Sequence, residues 1–354
     1  VNALDPDFEI PSEWKAAFGT VIDFGSPEAW YGDDWRLMLD FLVSKTNEAA
    51  YILPISWAPA TTGVGPAAAD GRPRYVGNTN DFLLTNAEEK GWARTVSVGL
   101  SKDYNNGIDW AAGYAFTQGK DANPMTSSVA FSNFSNFQTY DPLDPELATS
   151  DYVIPHRFTF NLNFRKEFIE NYASKLSLFA TANEGAPYSY TIGSNSAFTP
   201  FTNSRRELAY IPTGITDPVI APTSNAGAVA ALVDFINNNS ELRDAKGGII
   251  DRNSANDPWR SRFDIRIAQE LPGLMADHRT EAFMVIRNVG NLLNDEWGVL
   301  REHGFPGNAE LYGISGIDSQ GRLVINSFNP TVDRAQPINS ASLWQIRLGV
   351  KYKF

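Results

Sequence analysis

The stretch Trp344 to Phe354 constrains the fold more than any other part of the chain. Its even positions are Trp344, Ile346, Leu348, Val350, Tyr352 and Phe354, and its odd positions are Gln345, Arg347, Gly349, Lys351 and Lys353. Side chains of a β-strand alternate between two faces, so a strict period of two is a strand's signature and would be scrambled around a helix. One face of this strand calls for hydrocarbon and the other for water.

The design recurs upstream. Trp35, Leu37, Leu39, Phe41 and Val43 alternate with Arg36, Met38, Asp40, Leu42 and Ser44, and Ile108, Trp110, Ala112, Tyr114 and Phe116 alternate with small or polar residues. Phe158, Phe160, Leu162 and Phe164 alternate with Arg157, Thr159, Asn161 and Asn163, and Phe263, Ile265 and Ile267 with Arg262, Asp264 and Arg266. Weaker segments run from Trp14 to Phe24, Arg94 to Asp103, Ser174 to Ala182 and Glu281 to Asn291. The total is about nine strands, of lengths that suit a tilted membrane crossing.

The connections sort into two alternating classes. Short links rich in Gly, Pro, Asn and Asp are expected at Gly25 to Asp33, Tyr104 to Gly107, Lys166 to Tyr172 and Leu271 to Arg279. Long ones fill Thr46 to Gly91, Gln118 to Tyr152, Ile192 to Trp259 and Leu292 to Ser340. In an up-and-down arrangement successive links fall on opposite rims, so one rim has tight turns and the other large loops, the asymmetry of outer-membrane barrels whose long loops face outward.

A soluble antiparallel sheet with one buried face also alternates. The apolar faces here, however, are aromatic near their ends (Trp35, Trp110, Tyr114, Trp344, Tyr352), as membrane-interface girdles are, and the opposite faces carry the charges of a wet lumen. The expectation is therefore an all-β fold, an antiparallel transmembrane β-barrel with long extracellular loops, in the outer membrane of a Gram-negative bacterium. The longest apolar run, Ala226 to Ile236, contains Asp234 and is far shorter than the roughly 20 residues of a spanning helix. Val229, Leu232, Val233 and Ile236 instead fall at helical spacing behind Ser224 and Asn225, which predicts a short amphipathic loop helix with an N-cap. A net charge of -12 argues against nucleic acid as a partner, and the absence of Cys excludes disulfides and thiolate metal sites.

Local motifs then follow one another in a familiar order. Asp5-Pro6-Asp7-Phe8-Glu9-Ile10-Pro11-Ser12-Glu13-Trp14-Lys15, Asp70-Gly71-Arg72-Pro73-Arg74-Tyr75, and Thr85-Asn86-Ala87-Glu88-Glu89-Lys90-Gly91 resemble TonB-dependent outer-membrane receptors of the Oar-like group. So do Gly185-Ala186-Pro187-Tyr188-Ser189-Tyr190, Tyr210-Ile211-Pro212, Arg252-Asn253-Ser254, Asp257-Pro258-Trp259 and the run Asn288 to Gly298. Lys351-Tyr352-Lys353-Phe354 is similar to the terminal assembly signal of such barrels, with Tyr352 and Phe354 as its aromatic residues.

The resemblance implies a barrel of about 22 strands around a plug, so residues 1–354 are expected to be its C-terminal portion, with the plug and signal peptide outside this chain. It also implies outer-membrane lipid, the TonB complex and the barrel assembly machinery as partners, and TonB-energised uptake of an unidentified ligand as the function. A passive channel and a surface adhesin or structural barrel are the alternatives.

Chemistry beyond transport finds little footing. His156 falls near a strand start, His278 in a short turn and His303 in the last long link, the last two on opposite rims, and no nucleophile elbow, zincin, phosphate-loop or dinucleotide motif occurs. The expectation is no enzyme, no cofactor and no metal site. Asp141, Asp144, Glu146 and Asp151 are acidic enough for calcium but follow no EF-hand spacing. Arg36, Asp40, Arg157, Arg262, Asp264, Arg266 and Arg347 are the lumen-facing candidates, and Trp57, Phe198, Phe201, Tyr210, Trp297 and Tyr312 are loop aromatics able to stack on a ligand.

Overall fold

The computed structural model describes residues 2–194, 196–201, 206–275 and 277–354. Val1, Asn195, residues 202–205 and Ala276 lie outside the described residues, so the links expected at 192–259 and 271–279 are described without them.

Nine long strands pair in chain order into one antiparallel sheet. They are β1 (Ser12–Phe24), β2 (Trp35–Glu48), β3 (Trp92–Asp103), β4 (Ile108–Asp121), β5 (His156–Ile169), β6 (Tyr172–Asn183), β7 (Arg260–Pro272), β8 (Arg279–Arg287) and β9 (Gln345–Lys353). The short strand Ala148–Thr149 adds to the end of β4. Among the described residues, the outer edges of β1 and β9 pair with no strand.

Register carries the alternation from strand to strand, because residues directly opposite each other point to the same face. Leu37 lies opposite Ile22 and Leu100, Leu162 opposite Trp110 and Leu178, and Ile265 opposite Leu178 and Ile286, while Met284 faces Leu348. The apolar faces thereby join into one continuous band, and this band is uncovered: Trp14, Phe18, Leu348 and Val350 are exposed. Aromatic rings gather toward its two borders. Trp35 meets Trp110 edge-on at 5.7 Å near one rim, and His156 stacks between Tyr114 and Trp259 at 6.0 and 6.2 Å near the other.

The links alternate as expected. Residues 25–34, 104–107, 170–171 and 273–278 turn at one rim, and residues 49–91, 122–155, 184–259 and 288–344 cross at the other. Left-handed residues make the tight turns: Asn105 and Gly107 (φ 56° and 90°) in the second, and Asn171 (φ 67°) in the third. Most strand ends shift by a few residues from the sequence reading, and two of the shifts fall at named motifs. β8 ends at Arg287, not Asn291, because Asn288 turns left-handed (φ 52°), donates its side chain to the carbonyls of Gly298 and Ser342, and leads into a helical turn, Val289–Leu293. Trp344 stands one residue outside β9.

The buried core lies elsewhere. Every buried member of the three apolar clusters belongs to the long links. The largest cluster is organised by Pro187–Ser194, which pairs in parallel with Asn308–Ile317, itself paired with Leu323–Phe328. Helix α1 (Ala226–Asn238) packs on this unit through Val229, Leu232 and Ile236. Its N-cap is Asn225, whose side chain accepts from the backbone N–H groups of Gly227 and Ala228, as the helical spacing anticipated. The molecule therefore has a nine-stranded wall and, along one rim, a packed cap of loops. No helix among the described residues is long and apolar enough to cross a membrane.

Candidate functional site

The wall's second face is polar. Its register sets Arg36 opposite Asp23, Asp40 opposite Gly19 and Ser97, Arg157 opposite Ala115 and Asn183, Arg262 opposite Thr181, Asp264 opposite Phe179, and Arg266 and Arg347 opposite Val285. All seven lumen candidates thus share one side of the sheet. Several are held by pairing: Arg36 to Asp23 at 2.7 Å, Arg262 to Asp264 at 2.6 Å, and Arg266 to Glu281 at 2.5 Å. Glu281 also receives Lys175 at 2.9 Å, and Lys175 reaches Glu270 at 2.6 Å, so three neighbouring strands are laced by one ionic network. Arg157, Arg287 and Arg347 form no ion pair among the described residues and leave this face with free cationic groups. Phe283 breaks the polar pattern because it lies flat across Gly349, where any Cβ would collide with its ring.

The cap treats the six loop aromatics unequally. Trp57 is buried against Tyr75, Phe134 and Phe201, and its indole donates to the Asn78 carbonyl at 2.7 Å. Phe198 lies under the Arg72 guanidinium at 4.5 Å. Tyr312 donates to the Tyr210 carbonyl at 2.8 Å, and the Tyr210 hydroxyl donates to Asp217 at 3.2 Å. The rings of Trp57, Phe198, Phe201, Tyr210 and Tyr312 are occupied by protein neighbours, and Trp297, 57% exposed, presents an open face.

Charged groups in the cap supply nodes that residue type alone did not reveal. Arg72 is completely buried, bound to Asp70 at 2.8 Å, close to Glu207 at 3.6 Å, and donating to the Leu208 carbonyl. The Asp70-Gly71-Arg72 turn was its one sequence signal, since Asp at the head of a turn accepts from the backbone two residues on. Asp217 collects the Thr213 hydroxyl and N–H, the Val219 N–H and the Tyr210 hydroxyl. Burial opposes its charge, but these donors together hold its carboxyl below the usual range. Tyr210, desolvated and facing that carboxylate, is pushed up to about 12 and remains a donor.

His303 joins two links. Its Nδ1 meets Asp257 Oδ1 at 2.7 Å and its Nε2 meets the Val332 carbonyl at 2.9 Å, and Tyr188 covers the ring at 4.0 Å. Two acceptors require two N–H groups, so the geometry fits an imidazolium. Burial works against that charge, yet the Asp257 bond and the Val332 carbonyl raise the His303 pKa above its ordinary value. The other two histidines are far from it in role: His156 bonds to Tyr114 at 2.8 Å, and His278 to Tyr352 at 2.6 Å in the last tight turn. Tyr352 is thus anchored, and Phe354 is 97% exposed.

The acidic loop residues do not converge. Asp141 accepts from Tyr75, Glu146 from Tyr140 and Asp151 from Asn253. Among the described residues no group of carboxylates and histidines is arranged to hold a metal. A cavity of about 190 Å³ opens between the first three long links, lined by Asp70, Gln138, Tyr140, Glu146, Asp251 and Arg252. Arg252 binds Asp121, the last residue of β4, at 2.6 Å, tying the cap to the wall, while its Nη1 is buried without a hydrogen-bond partner. Such an arrangement can bind and orient a small polar solute. Compared with known proteins, the chain matches no family model and no curated protein sequence.

Proposed function

We propose that the chain is barrel wall and outward-facing loops of an outer-membrane receptor that takes up a ligand by TonB-dependent transport in a Gram-negative bacterium. The observation that carries this reading is the wall's continuous, uncovered apolar band, bordered by aromatic rings and backed by a charged face. Burial of that band in water would need another protein surface across nine strands; a bilayer covers it without one. Strands spanning a bilayer need every backbone group paired, so the reading requires further strands along β1 and β9. The packed cap supplies the polar cavity between links and the open face of Trp297 as ligand contacts. The TonB-dependent part rests on the motif order from Asp5 to Phe354.

The test is tryptophan fluorescence of the protein as its host makes it, reconstituted in vesicles whose acyl chains are brominated near the headgroup, at the depth of the aromatic borders. Strong quenching is expected, and emission unchanged from unbrominated vesicles would refute the membrane reading. In a planar bilayer the same protein should show no steady conductance. A sustained open current would replace the receptor with a passive channel.

A further inference from the structure

The apolar band carries a trough. Ala112, Ala180 and Ala182 stand where neighbouring positions carry large side chains, and with Phe158, Phe160 and Phe263 as walls they leave a trough of about 480 Å³ on the band's surface. Tyr114, His156 and Trp259 close its end nearest the cap: the tyrosine hydroxyl bonds to the histidine ring, and the indole stacks on it. Ala180 and Ala182 follow each other on β6, Ala112 lies in the row of Ala180 on the far side of Phe160, and the protein leaves the space beside them unfilled.

A second, independent observation lies above the trough. Arg94 shares the face of Val98 and Leu100, both of which line the trough, and stands four residues toward the cap rim, about 13 Å along the strand. Its guanidinium donates to the neutral side-chain amide of Gln118 at 2.8 Å and lies over the Trp92 ring. Lys120 has the same parity on the next strand, diagonal to Arg94. Both are exposed, and neither forms an ion pair among the described residues. A cation on a membrane-facing row is costly in hydrocarbon and favourable where phosphate lies.

Resting on the membrane reading above, we propose that this trough and these two cations form a site for one phosphate-bearing lipid of the outward leaflet, an acyl chain lying in the trough against Phe158 and Phe160 and the phosphate held by Arg94 and Lys120. The apolar trough excludes a soluble ligand, and the spacing from trough to cations is that from mid-chain to headgroup. A held lipid would differ from its neighbours in the bilayer by surviving extraction into detergent.

The experiment reconstitutes the full protein in vesicles containing phosphatidylglycerol and a galactosyl diacylglycerol of identical acyl chains. After mild detergent extraction, native mass spectrometry counts retained lipids. The wild type should keep one phosphatidylglycerol and little galactolipid. Filling the trough with Ala180→Phe and Ala182→Phe should lower retention at least tenfold, and the gentler Ala112→Leu should lower it severalfold in case the double variant fails to assemble. Arg94→Gln with Lys120→Gln should erase the preference for phosphate. Undiminished retention in Ala112→Leu, or equal retention of both lipids by the wild type, would overturn the site. Brominated-lipid quenching on the same samples separates the two levels: quenching without a retained lipid refutes this site alone, whereas no quenching refutes the membrane reading beneath it.

Discussion

In the wall, Phe18, Leu348 and Val350 leave 67%, 75% and 71% of their surface open, whereas in the cap Leu232, Ile236 and Leu311 leave none. The same residue types have opposite fates within one chain. The cap excludes water with its own side chains, so its apolar residues are a core in the ordinary sense and gain stability from being removed from solvent. The wall cannot do so, because a single sheet has no second layer. On the proposed membrane reading, its large side chains meet a surrounding medium that is itself apolar. What the difference teaches is that hydrophobic composition reports total apolar area, whereas alternation against clustering reports which solvent that area meets.

The comparison breaks most sharply at the clamp between Asp257 and His303. Asp257→Ala leaves a cationic ring buried without its carboxylate and should destabilise the cap by about 4 kcal/mol, the usual scale for half of a buried pair removed. Because the folded-state pKa of His303 is raised, its contribution is complete below the ordinary histidine value of about 6.5 and fades as pH climbs through the raised value. Cap unfolding followed by hydrogen exchange should therefore ease on the alkaline side in the wild type and lose this dependence in His303→Gln. An identical pH response in the variant would show that the pair is not the cause.

Two leucines test the two solvents directly. Leu232→Ala should cost about 3 kcal/mol, since it opens a cavity in a closed core. Leu348→Arg should cost roughly 2 to 4 kcal/mol in a bilayer if the residue lies near the midplane, and Arg347→Leu on the other face less. In water an exposed leucine changed to arginine is within about 0.5 kcal/mol of neutral, so reversible unfolding in lipid that shows no cost at Leu348 would return the wall to an aqueous setting.

The smallest expected effect sharpens the boundary of the cap. Asn225→Ala removes the acceptor for two N–H groups at the start of α1 and should cost about 1 kcal/mol, visible as faster amide exchange at Gly227 and Ala228 with β1–β9 unaffected. Faster exchange throughout the wall as well would mean that the two regions unfold as one.

Much of the wall was legible because a two-faced strand writes its environment into every second residue. Trp35 to Val43 and Phe158 to Phe164 could be read without any knowledge of their partners, and the order of tight turns and long links then fixed which neighbours they would pair with. The cap was legible only at α1, where the spacing of Val229, Leu232 and Ile236 and the preceding Asn225 are local signals. Residues 187–192 are buried on both faces, and although Tyr188, Tyr190 and Ile192 alternate with Ser189 and Thr191, that pattern does not name their partner, Asn308–Ile317, far along the chain. The loop aromatics show the limit most plainly. Phe201 and Trp297 look alike in sequence, yet one is wedged among other rings and the other faces outward, a distinction made by long-range packing alone. The Arg72 and His303 nodes were hidden for the same reason, as Glu207 and Asp257 are distant in sequence from the groups they meet.

The parallel pairing of Ser189 with Asn308 bears on the order in which the molecule assembles. A wall hairpin such as β5–β6 closes across a two-residue turn, residues 170–171, and pays almost no loop-closure entropy. The 189–308 contact must close a loop containing β7, β8 and their turn, and such non-local contacts are slow until their ends are brought near. Once β6 to β9 have zipped together, the chain segments leaving their upper ends are neighbours, and the search between the two loops becomes short. The hairpins therefore act as a template, and the cap is the last part of the protein to take shape.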